Sequence, residues 1–434
     1  MLVGLLLATL LSGEVCAADA NREVVTLERL FDIAESNSAQ LRPSFSATEE
    51  ARQEIREARA KRLPDINASL SLSYIGDGFT TKRNFSDYQK APIPHFGNTF
   101  SIGVSQPVYT GGAISAGIDF AELKLTATRL ATDMQRDNIR FDLTGFYLDI
   151  YKYTNLRSVV EGNISRARQV LDEMKARHEQ GTVLLNDITR YELLVSNLEL
   201  QLIKIDNTLE ILNNNLVTIA GLPEGTVVEP DTTILARALP STSLKQWQSD
   251  ALENSPAISM ARSNVAISSK AESLAKAERL PNIGLQAGWN FDGPILVEVP
   301  PINRNLSYWY VGVGISYNLS SLFKSNKSIA RSQAATVVAR DELEAVKQNV
   351  DMGVRADHIR YLESYEELKT QQKSVELAER NYNTVATRFG AEMALITDML
   401  DAANSRLEAE QQLVNARINI IYYYYKLLFI SGKI

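Results

Sequence analysis

The sequence predicts a mainly α-helical protein with a small β part, built from two copies of one structural unit. Three observations favour this fold class. Short motifs recur at a nearly constant separation, several runs alternate strictly between apolar and polar residues, and long proline-free segments place apolar residues three and four positions apart. The first pattern indicates an internal duplication, and the other two have the periods of strands and helices.

The duplication extends over most of the chain. The separation between matching residues is 217 positions in the first part of each copy and 211 in the second part. This change falls in a loop between two predicted strands, where a repeated unit tolerates a change of length. We therefore expect a first repeat at residues 21–220, a connector at 221–243 and a second repeat at 244–434.

Residues 1–20 are predicted to be a secretory signal peptide. The apolar run Leu2–Leu11 is followed by small residues that suit cleavage. Such a run is too short to cross a membrane as a helix, and a buried N-terminal helix is the alternative interpretation. Cys16, the only cysteine, lies in this segment, and the residues before it do not suit a lipid anchor. We expect no disulfide in the mature chain.

After the signal, each repeat is predicted to open with a helix and to continue into a β-hairpin. The hairpins span about 66–109 and about 283–319. Residues 66–74 place Ile, Ala, Leu and Tyr on one face and Asn and Ser on the other. This alternation is typical of transmembrane strands, which turn apolar side chains to lipid and small or polar ones to a lumen. A strand of a soluble sandwich would alternate in the same way, so this alternative stays open.

Aromatic residues are concentrated in the second hairpin, at Trp289, Phe291 and 308–310. They resemble the girdles that mark the edges of a membrane. Four strands cannot close a barrel, whereas three chains would supply twelve, enough to enclose a lumen. We therefore expect each chain to contribute four strands to a 12-stranded trimeric outer-membrane β-barrel.

The rest of each repeat is predicted to be a long antiparallel helical hairpin, at about 113–220 and about 322–430. The first helix of such a hairpin would be about 95 Å long. From Ile188 to Ile219, ten apolar residues are separated alternately by three and four positions. This is the seam of a left-handed coiled coil, which could line a tunnel or build a structural rod.

Three motifs of this chain resemble those of the TolC-like outer-membrane efflux proteins, also called the outer membrane factor family. A Leu-Pro-Asp/Asn-Ile motif opens a strand in each copy, and Ser-Gln-Pro-Val-Tyr-Thr-Gly-Gly joins a strand to a long helix. In the third motif an Arg precedes the turn of a helical hairpin and an Asp follows it. The residues at the strand and helix boundaries are Pro64, Pro107, Gly111, Gly112 and Pro281.

The resemblance covers essentially the whole mature chain and implies the exit duct of a tripartite efflux or type I secretion system. Such a duct is a passive homotrimeric channel in the outer-membrane lipid of a Gram-negative bacterium, with a long periplasmic extension. The implied partners are a periplasmic adaptor (a membrane fusion protein) and an inner-membrane transporter of the RND or ABC type. A periplasmic structural or adaptor coiled-coil protein without a channel is the alternative.

The resemblance also places Asp398 and Asp401 at a narrow periplasmic entrance, where they are expected to constrict the pore. In a trimer each would form a ring of carboxylates, with the two rings about one helical turn apart. Such rings hold cations and repel anions. From the spacing alone, both carboxylates could instead merely stabilise a helix N-terminus.

Further residues are expected, from the resemblance, to form the tip and the turn that faces the adaptor. Phe389 and Ala394 stand where some relatives carry a tyrosine and a basic residue that hold the tip closed. We therefore expect Asp187 and Arg190 to pair differently, for example with each other. The tip residues are Arg177, Gly181, Asp187, Arg190, Arg388 and Glu392.

The sequence offers nothing for catalysis, cofactors or nucleic acid. The net charge of −7 gives no basic surface for a nucleic acid. The histidines are scattered without the spacing of metal ligands, and no phosphate-binding loop or nucleophile motif is present. We expect a protein that is not an enzyme and has no catalytic, cofactor or metal site.

Overall fold

The computed structural model describes residues 22–231, 233, 239–240, 242–298 and 301–434. The predicted signal peptide, with Cys16, lies outside these residues, as does part of the connector. The chain divides into two compact units, and each unit contains parts of both repeats. The helical unit comprises residues up to Pro43, Gln135–Ser255 and Val350–Ile434, and the sheet unit comprises Ser44–Met134 and Pro256–Asn349.

The helices and the four long strands recur in the same order in both copies, whereas β3 and β4 are described in the first copy alone. The first copy contains β1 Arg22–Val25, α1 Leu27–Asn37, α2 Arg42–Ala60, β2 Asp65–Tyr74, β3 Gly78–Thr80, β4 Gln89–Ala91, β5 Phe96–Thr110, α3 Ala113–Glu179 and α4 Leu185–Ala220. After β6 Val227–Pro230, the second copy contains α5 Leu244–Asn254, α6 Pro256–Ala277, β7 Asn282–Gly293, β8 Leu306–Ser316, α7 Ser321–Gly390 and α8 Ile396–Ile430. The fold is thus mainly α with a small β part and internally duplicated, as predicted. Among the helices of the described residues, none combines the length and the apolar character needed to cross a membrane.

The sheet unit contains one four-stranded antiparallel sheet in the order β2–β5–β7–β8. Cross-strand pairing separates its two faces. Ser69 pairs with Ser101, which pairs with Asn290, so small and polar side chains share one face. Trp289 pairs with Trp309 on the other, apolar face. The alternation read from the sequence therefore describes the two faces correctly.

The prediction that the aromatic residues of the second hairpin form a girdle at the membrane edge is wrong for two of them. Tyr308 pairs with Asn290 and Tyr310 pairs with Gly288, so both tyrosines lie on the polar face, opposite to Trp309. The reason is that consecutive side chains of a strand point to opposite faces. The ring of Tyr310 covers Gly288, where an added Cβ would lie 2.7 Å from a ring carbon.

The boundary motifs lie where the strands begin and end. Pro64 and Pro281 directly precede β2 and β7, positions that need no ladder donor. Pairing of β5 with β7 is irregular just after Pro107, which marks a bulge. Gly111 and Gly112 join β5 to α3 with φ of +63° and +83°. A Cβ on Gly111 would lie 2.7 Å from both the Ala277 carbonyl oxygen and the Leu280 Cβ, so the close packing requires glycine.

In the helical unit, α3 and α4 form an antiparallel pair. Ile188, Tyr191 and Leu198 of the predicted seam are buried against α3 residues such as Ile164 and Met174. Three ion pairs lie along the exposed edge of the two helices. They join residues of rising number on α3 to residues of falling number on α4, as expected for antiparallel helices. These ion pairs are Arg157–Asp206 at 2.7 Å, Arg168–Glu199 at 2.6 Å and Lys175–Glu192 at 3.0 Å.

Helices α7 and α8 form the corresponding pair of the second repeat. Asn419 of α8 donates a hydrogen bond to Glu367 of α7 at 3.3 Å, and Lys426 lies 3.1 Å from Asp357.

A further core lies around the parallel strands β1 and β6. There the hydroxyl of Tyr147 donates to the Val25 carbonyl at 2.9 Å, and burial raises the pKa of this tyrosine to about 12.

Candidate functional site

The turn between α3 and α4 has the geometry of a helix that ends on glycine. Gly181 adopts a left-handed conformation with φ of +79°. The Thr182 N–H donates to the Arg177 carbonyl at 3.1 Å, and the Gly181 N–H donates to the His178 carbonyl at 2.9 Å. These bonds satisfy carbonyl groups that the end of a helix leaves without partners.

The turn between α7 and α8 repeats this backbone 211 positions later. The Met393 N–H donates to the Arg388 carbonyl at 2.8 Å, and the Glu392 N–H donates to the Phe389 carbonyl at 3.1 Å. Glu392 has φ of +61°, which a residue with a side chain adopts at a cost of about 1 kcal/mol. The repeated hydrogen bonds therefore impose a conformation that glycine would adopt more easily.

Arg177 joins the two turns. Its Nη2 donates to the Gly390 carbonyl at 2.7 Å and its Nη1 to the Phe389 carbonyl at 3.4 Å. The guanidinium thus satisfies the last carbonyl groups of α7 and places a positive charge at the negative end of that helix. Arg388, the counterpart of Arg177 in the second copy, is exposed, and its side chain makes no hydrogen bond or ion pair within the described ranges.

The two candidate entrance carboxylates lie on the exposed side of α8. Asp398 and Asp401 are exposed, whereas the intervening Met399 and the following Ala402 are buried. Asp398 Oδ2 accepts a hydrogen bond from the Leu395 N–H at 3.1 Å, so this carboxylate caps the start of α8. The alternative read from the spacing, stabilisation of a helix N-terminus, therefore applies to Asp398. This capping leaves both carboxylates exposed to solvent.

Asp187 lies on the first turn of α4, and Arg190 follows on the second turn. Asp187 is half-buried and Arg190 is exposed. No ion pair joins these two side chains within the described part of the chain, and Asp187 does not cap Leu184 as Asp398 caps Leu395. Their pairing therefore stays a prediction.

Both turns expose large apolar side chains. Leu184 and Leu395, which correspond in the two copies, are each 69% exposed. Leu185 and Met393 beside them are 64% and 65% exposed. Phe389, by contrast, is partly buried against the cluster that α3 and α4 form near the turns. The turns therefore combine exposed apolar groups with exposed carboxylates.

Sequence reasoning missed one residue near the turns. Arg406 is 5% exposed and occupies a core position of α8. A usable signal was present, because Met399, Ala402, Arg406 and Ala409 of α8 have the same three-and-four spacing as the seam of α4. A charged residue at such a position is unusual in a coiled coil. In the part of the chain that the structure describes, no group of three or more His, Cys, Asp or Glu side chains could hold a metal ion.

Comparisons with known proteins agree with this architecture. The family model described as outer membrane efflux protein matches residues 30–222 and 247–432, one stretch in each repeat. The outer membrane protein TolC of Vibrio cholerae is 20% identical over 396 residues, which cover 91% of this chain and 88% of that protein.

Solved structures of outer-membrane proteins share the fold. VceC from Vibrio cholerae superposes with a TM-score of 0.77 at 15% identity, covering 94% of this chain and 96% of that chain. The open state of the MtrE outer membrane channel from Neisseria gonorrhoeae gives a TM-score of 0.69 at 16% identity, covering 94% and 88%. With the family match extending over most of both repeats, the chain belongs to the outer membrane efflux protein family.

Proposed function

We propose that this protein is the outer-membrane exit duct of a tripartite efflux or type I secretion system in a Gram-negative bacterium. It acts as a passive homotrimeric channel, and its energy comes from an inner-membrane pump. The observation that supports this proposal best is the four-stranded sheet, in which no described strand pairs with the outer edges of β2 and β8 and an apolar face is exposed.

The edge strands are suited to pairing between copies of the chain. Neighbouring strands of the sheet are antiparallel, so β2 and β8 run in opposite directions. Pairing β2 of one chain with β8 of the next would therefore continue the antiparallel pattern. Open edges of this length invite association, and a closed ring removes them. Three chains would close a barrel of twelve strands, which has room for a lumen.

The two faces of the sheet suit lipid and water. On the apolar face Ile66, Trp309 and Ile315 are 68%, 74% and 71% exposed, more than a water-soluble protein normally leaves on one surface. Lipid contact would satisfy these side chains. The face that contains Ser69, Ser101 and Asn290 would line the lumen. Apart from Tyr308 and Tyr310, the side chains of this face are small or polar, which favours broad specificity.

The turns of the helical unit would form the periplasmic entrance. Three copies of Asp398 and Asp401 would surround it with carboxylates, which favours cations over anions. The exposed Leu184 and Leu395 would provide an apolar docking surface for a periplasmic adaptor. The adaptor would connect the duct to a transporter of the RND or ABC type. No step of this function requires catalysis or a cofactor.

Disulfide trapping tests the closed ring. A cysteine replaces Ser69 on β2, and a second one replaces Gly312, Gly314 or Ser316 on β8 in turn. Cys16, the only native cysteine, is replaced by serine. We expect one of these pairs to give a reducible trimer, because pairing of β2 with β8 around a ring links exactly three chains. Variants with only one of the two cysteines are the matched controls.

The products distinguish the alternatives. A ladder of species larger than a trimer would indicate an open fibre. Monomers from every pair, with release of the protein from membranes by carbonate, would favour a periplasmic rod without a channel.

Photo-crosslinking in cells tests the docking surface. A photoreactive amino acid at Leu395 or at Leu184 should capture a periplasmic adaptor, because these side chains are exposed at the turns. The same amino acid at Glu379, an exposed residue of α7, is the control and should capture much less. Mass spectrometry of the captured complex would also identify the class of the pump. Equal capture at all three positions would contradict docking at the turns.

A further inference from the structure

The helical unit contains a buried charged cluster that the proposed function does not use. Arg406 follows Asp401 by five residues on α8, and its side chain is almost fully buried. It occupies the core position that Val195 holds in the first copy, 211 positions earlier. A buried guanidinium costs several kcal/mol to remove from water, so the surrounding structure must compensate it.

Three helices supply the compensating groups. Arg406 Nη2 donates to Asn163 Oδ1 on α3 at 3.2 Å. Its Nε lies 3.4 Å from Glu410 Oε1 on the same helix. The guanidinium carbon lies 4.2 Å from the centre of the Tyr382 ring on α7, a cation–π geometry. We call Arg406, Asn163, Glu410 and Tyr382 the Arg406 clamp.

Further contacts hold the residues of the Arg406 clamp in place. Asn163 Nδ2 donates to Glu410 Oε2 at 2.7 Å, so one amide holds both charged partners. Arg166 of α3 also lies 3.5 Å from Glu410. Tyr191 of α4 is 1% exposed beside Tyr382, and burial together with this neighbour raises its pKa. The cluster thus joins the helical hairpins of both repeats.

Such a cluster contributes more to register than to stability. Replacing a buried ion pair by apolar residues of similar volume is often neutral or stabilising. A single polar residue in a coiled-coil core nevertheless fixes which positions face each other, because any shift leaves it without partners. The Asn163–Arg406 bond therefore fixes the height and rotation of α8 against α3. Asp398 and Asp401, on the same helix as Arg406, move with it.

We propose that Arg406 and Asn163 are positioning residues for the entrance carboxylates. This inference rests on the proposed function, because three copies of Asp398 and Asp401 face each other only in a trimeric duct. Their like charges repel and push the α7–α8 hairpins outward. The Arg406 clamp opposes this movement by holding α8 on α3. Release of the clamp should therefore widen the entrance without unfolding the protein.

Single-channel recording in planar bilayers tests the proposal with the full trimeric protein. The main variant is the double substitution R406M/E410M, which removes the buried guanidinium and the half-buried carboxylate and keeps the volume. We expect conductance to rise roughly threefold or more, and the preference for cations to weaken, because the carboxylates move apart. The thermal unfolding midpoint should stay close to that of the wild type.

A second variant and a matched control distinguish a change in the position of α8 on α3 from a general weakening of helix packing. N163L removes the partner on α3 alone and should raise conductance in the same direction. The control D357N/K426M breaks another ion pair, in which the buried Asp357 is 4% exposed and lies 3.1 Å from the half-buried Lys426. Both of its residues belong to the α7–α8 hairpin, so conductance should not change.

Each outcome supports or overturns the inference. Wild-type conductance in both R406M/E410M and N163L, with folding retained, would overturn it, and so would an equal rise in the control. If R406M/E410M does not fold, N163L alone decides. A wild-type protein that forms no pores would refute the proposed function itself, which is a different result from pores that the clamp variants leave unchanged.

Discussion

The two turns of the helical unit share a backbone but differ in their side chains. In both, an N–H that follows the left-handed residue donates to an arginine carbonyl five positions earlier, at 3.1 Å in the first copy and 2.8 Å in the second. The left-handed residue itself is Gly181 in one turn and Glu392 in the other. Only Arg177 extends to the other turn, whereas only Asp398 caps its own helix.

This difference shows how a duplicated unit acquires two roles. The hydrogen bonds at the helix ends preserve the backbone of both copies, because each end leaves the same carbonyl groups to satisfy. The side chains are free to diverge. The first turn supplies a cation to the second, and the second retains the exposed carboxylates. The side-chain link between the two turns therefore depends on the arginine of one copy alone, within the described residues.

Breaking this link should give the largest effect. Arg177→Met removes two hydrogen bonds from a charged donor and takes the Gly390 carbonyl's partner away, whereas the Phe389 carbonyl keeps its bond from the Glu392 N–H. We expect a loss of about 1.5 kcal/mol in the free energy of unfolding, measured by chemical denaturation in detergent. Arg388→Met, the same change in the second copy, should cost less than about 0.5 kcal/mol. Equal losses would show that the bridge is unimportant.

Exchanging the left-handed residues should have the next largest effect. Gly181→Glu should destabilise by about 1 kcal/mol, because φ of +79° disfavours a residue with a Cβ. Glu392→Gly should stabilise by about 0.5 kcal/mol, since relief of strain is partly offset by the greater freedom of glycine in the unfolded chain. Thermal unfolding of both variants measures the difference. A stabilising Gly181→Glu would contradict the shared backbone geometry.

Removing the first-turn carboxylates should have a smaller effect on stability. Asp398→Ala loses the hydrogen bond to the Leu395 N–H and the favourable charge at the start of α8, at a cost of about 0.5 kcal/mol. Asp187→Ala loses only the charge at the start of α4 and should cost less. The difference between the two losses, measured by denaturation, gives the contribution of the capping hydrogen bond apart from that of the helix dipole. If the two losses are the same, the capping bond adds nothing.

The smallest effect concerns a charge present in the second copy alone. Asp250 corresponds to Ile33 in the first copy, and its ion pair with Lys433, helped by Gln246, lowers its pKa. A lowered pKa contributes stability above the unfolded-state value, and this contribution is lost as the pH falls through the folded-state value. We therefore expect the loss only in the acid range, below about pH 4. In Asp250→Asn this part of the pH dependence should be absent, as unfolding curves from pH 6 to pH 2.5 would show.

Much of the architecture could be predicted because its signals are local. The faces of the sheet follow from alternation along each strand, and the seam of α4 follows from spacing along one helix. Even the positions of both turns follow from residues that are close in sequence. The error at Tyr308 and Tyr310 came from counting aromatic residues without applying this same alternation.

The sequence by itself thus determined the duplication, the elements and the side of each element that is buried, since these depend on neighbours within a few residues. Only the tertiary structure decided which of two matching arginines bridges the turns, and which polar residues surround Arg406. Arg177 and Gly390 are 213 positions apart, and Arg406 and Asn163 are 243 apart. Partners at such separations meet only through the packing of whole helices, and no local spacing records that packing.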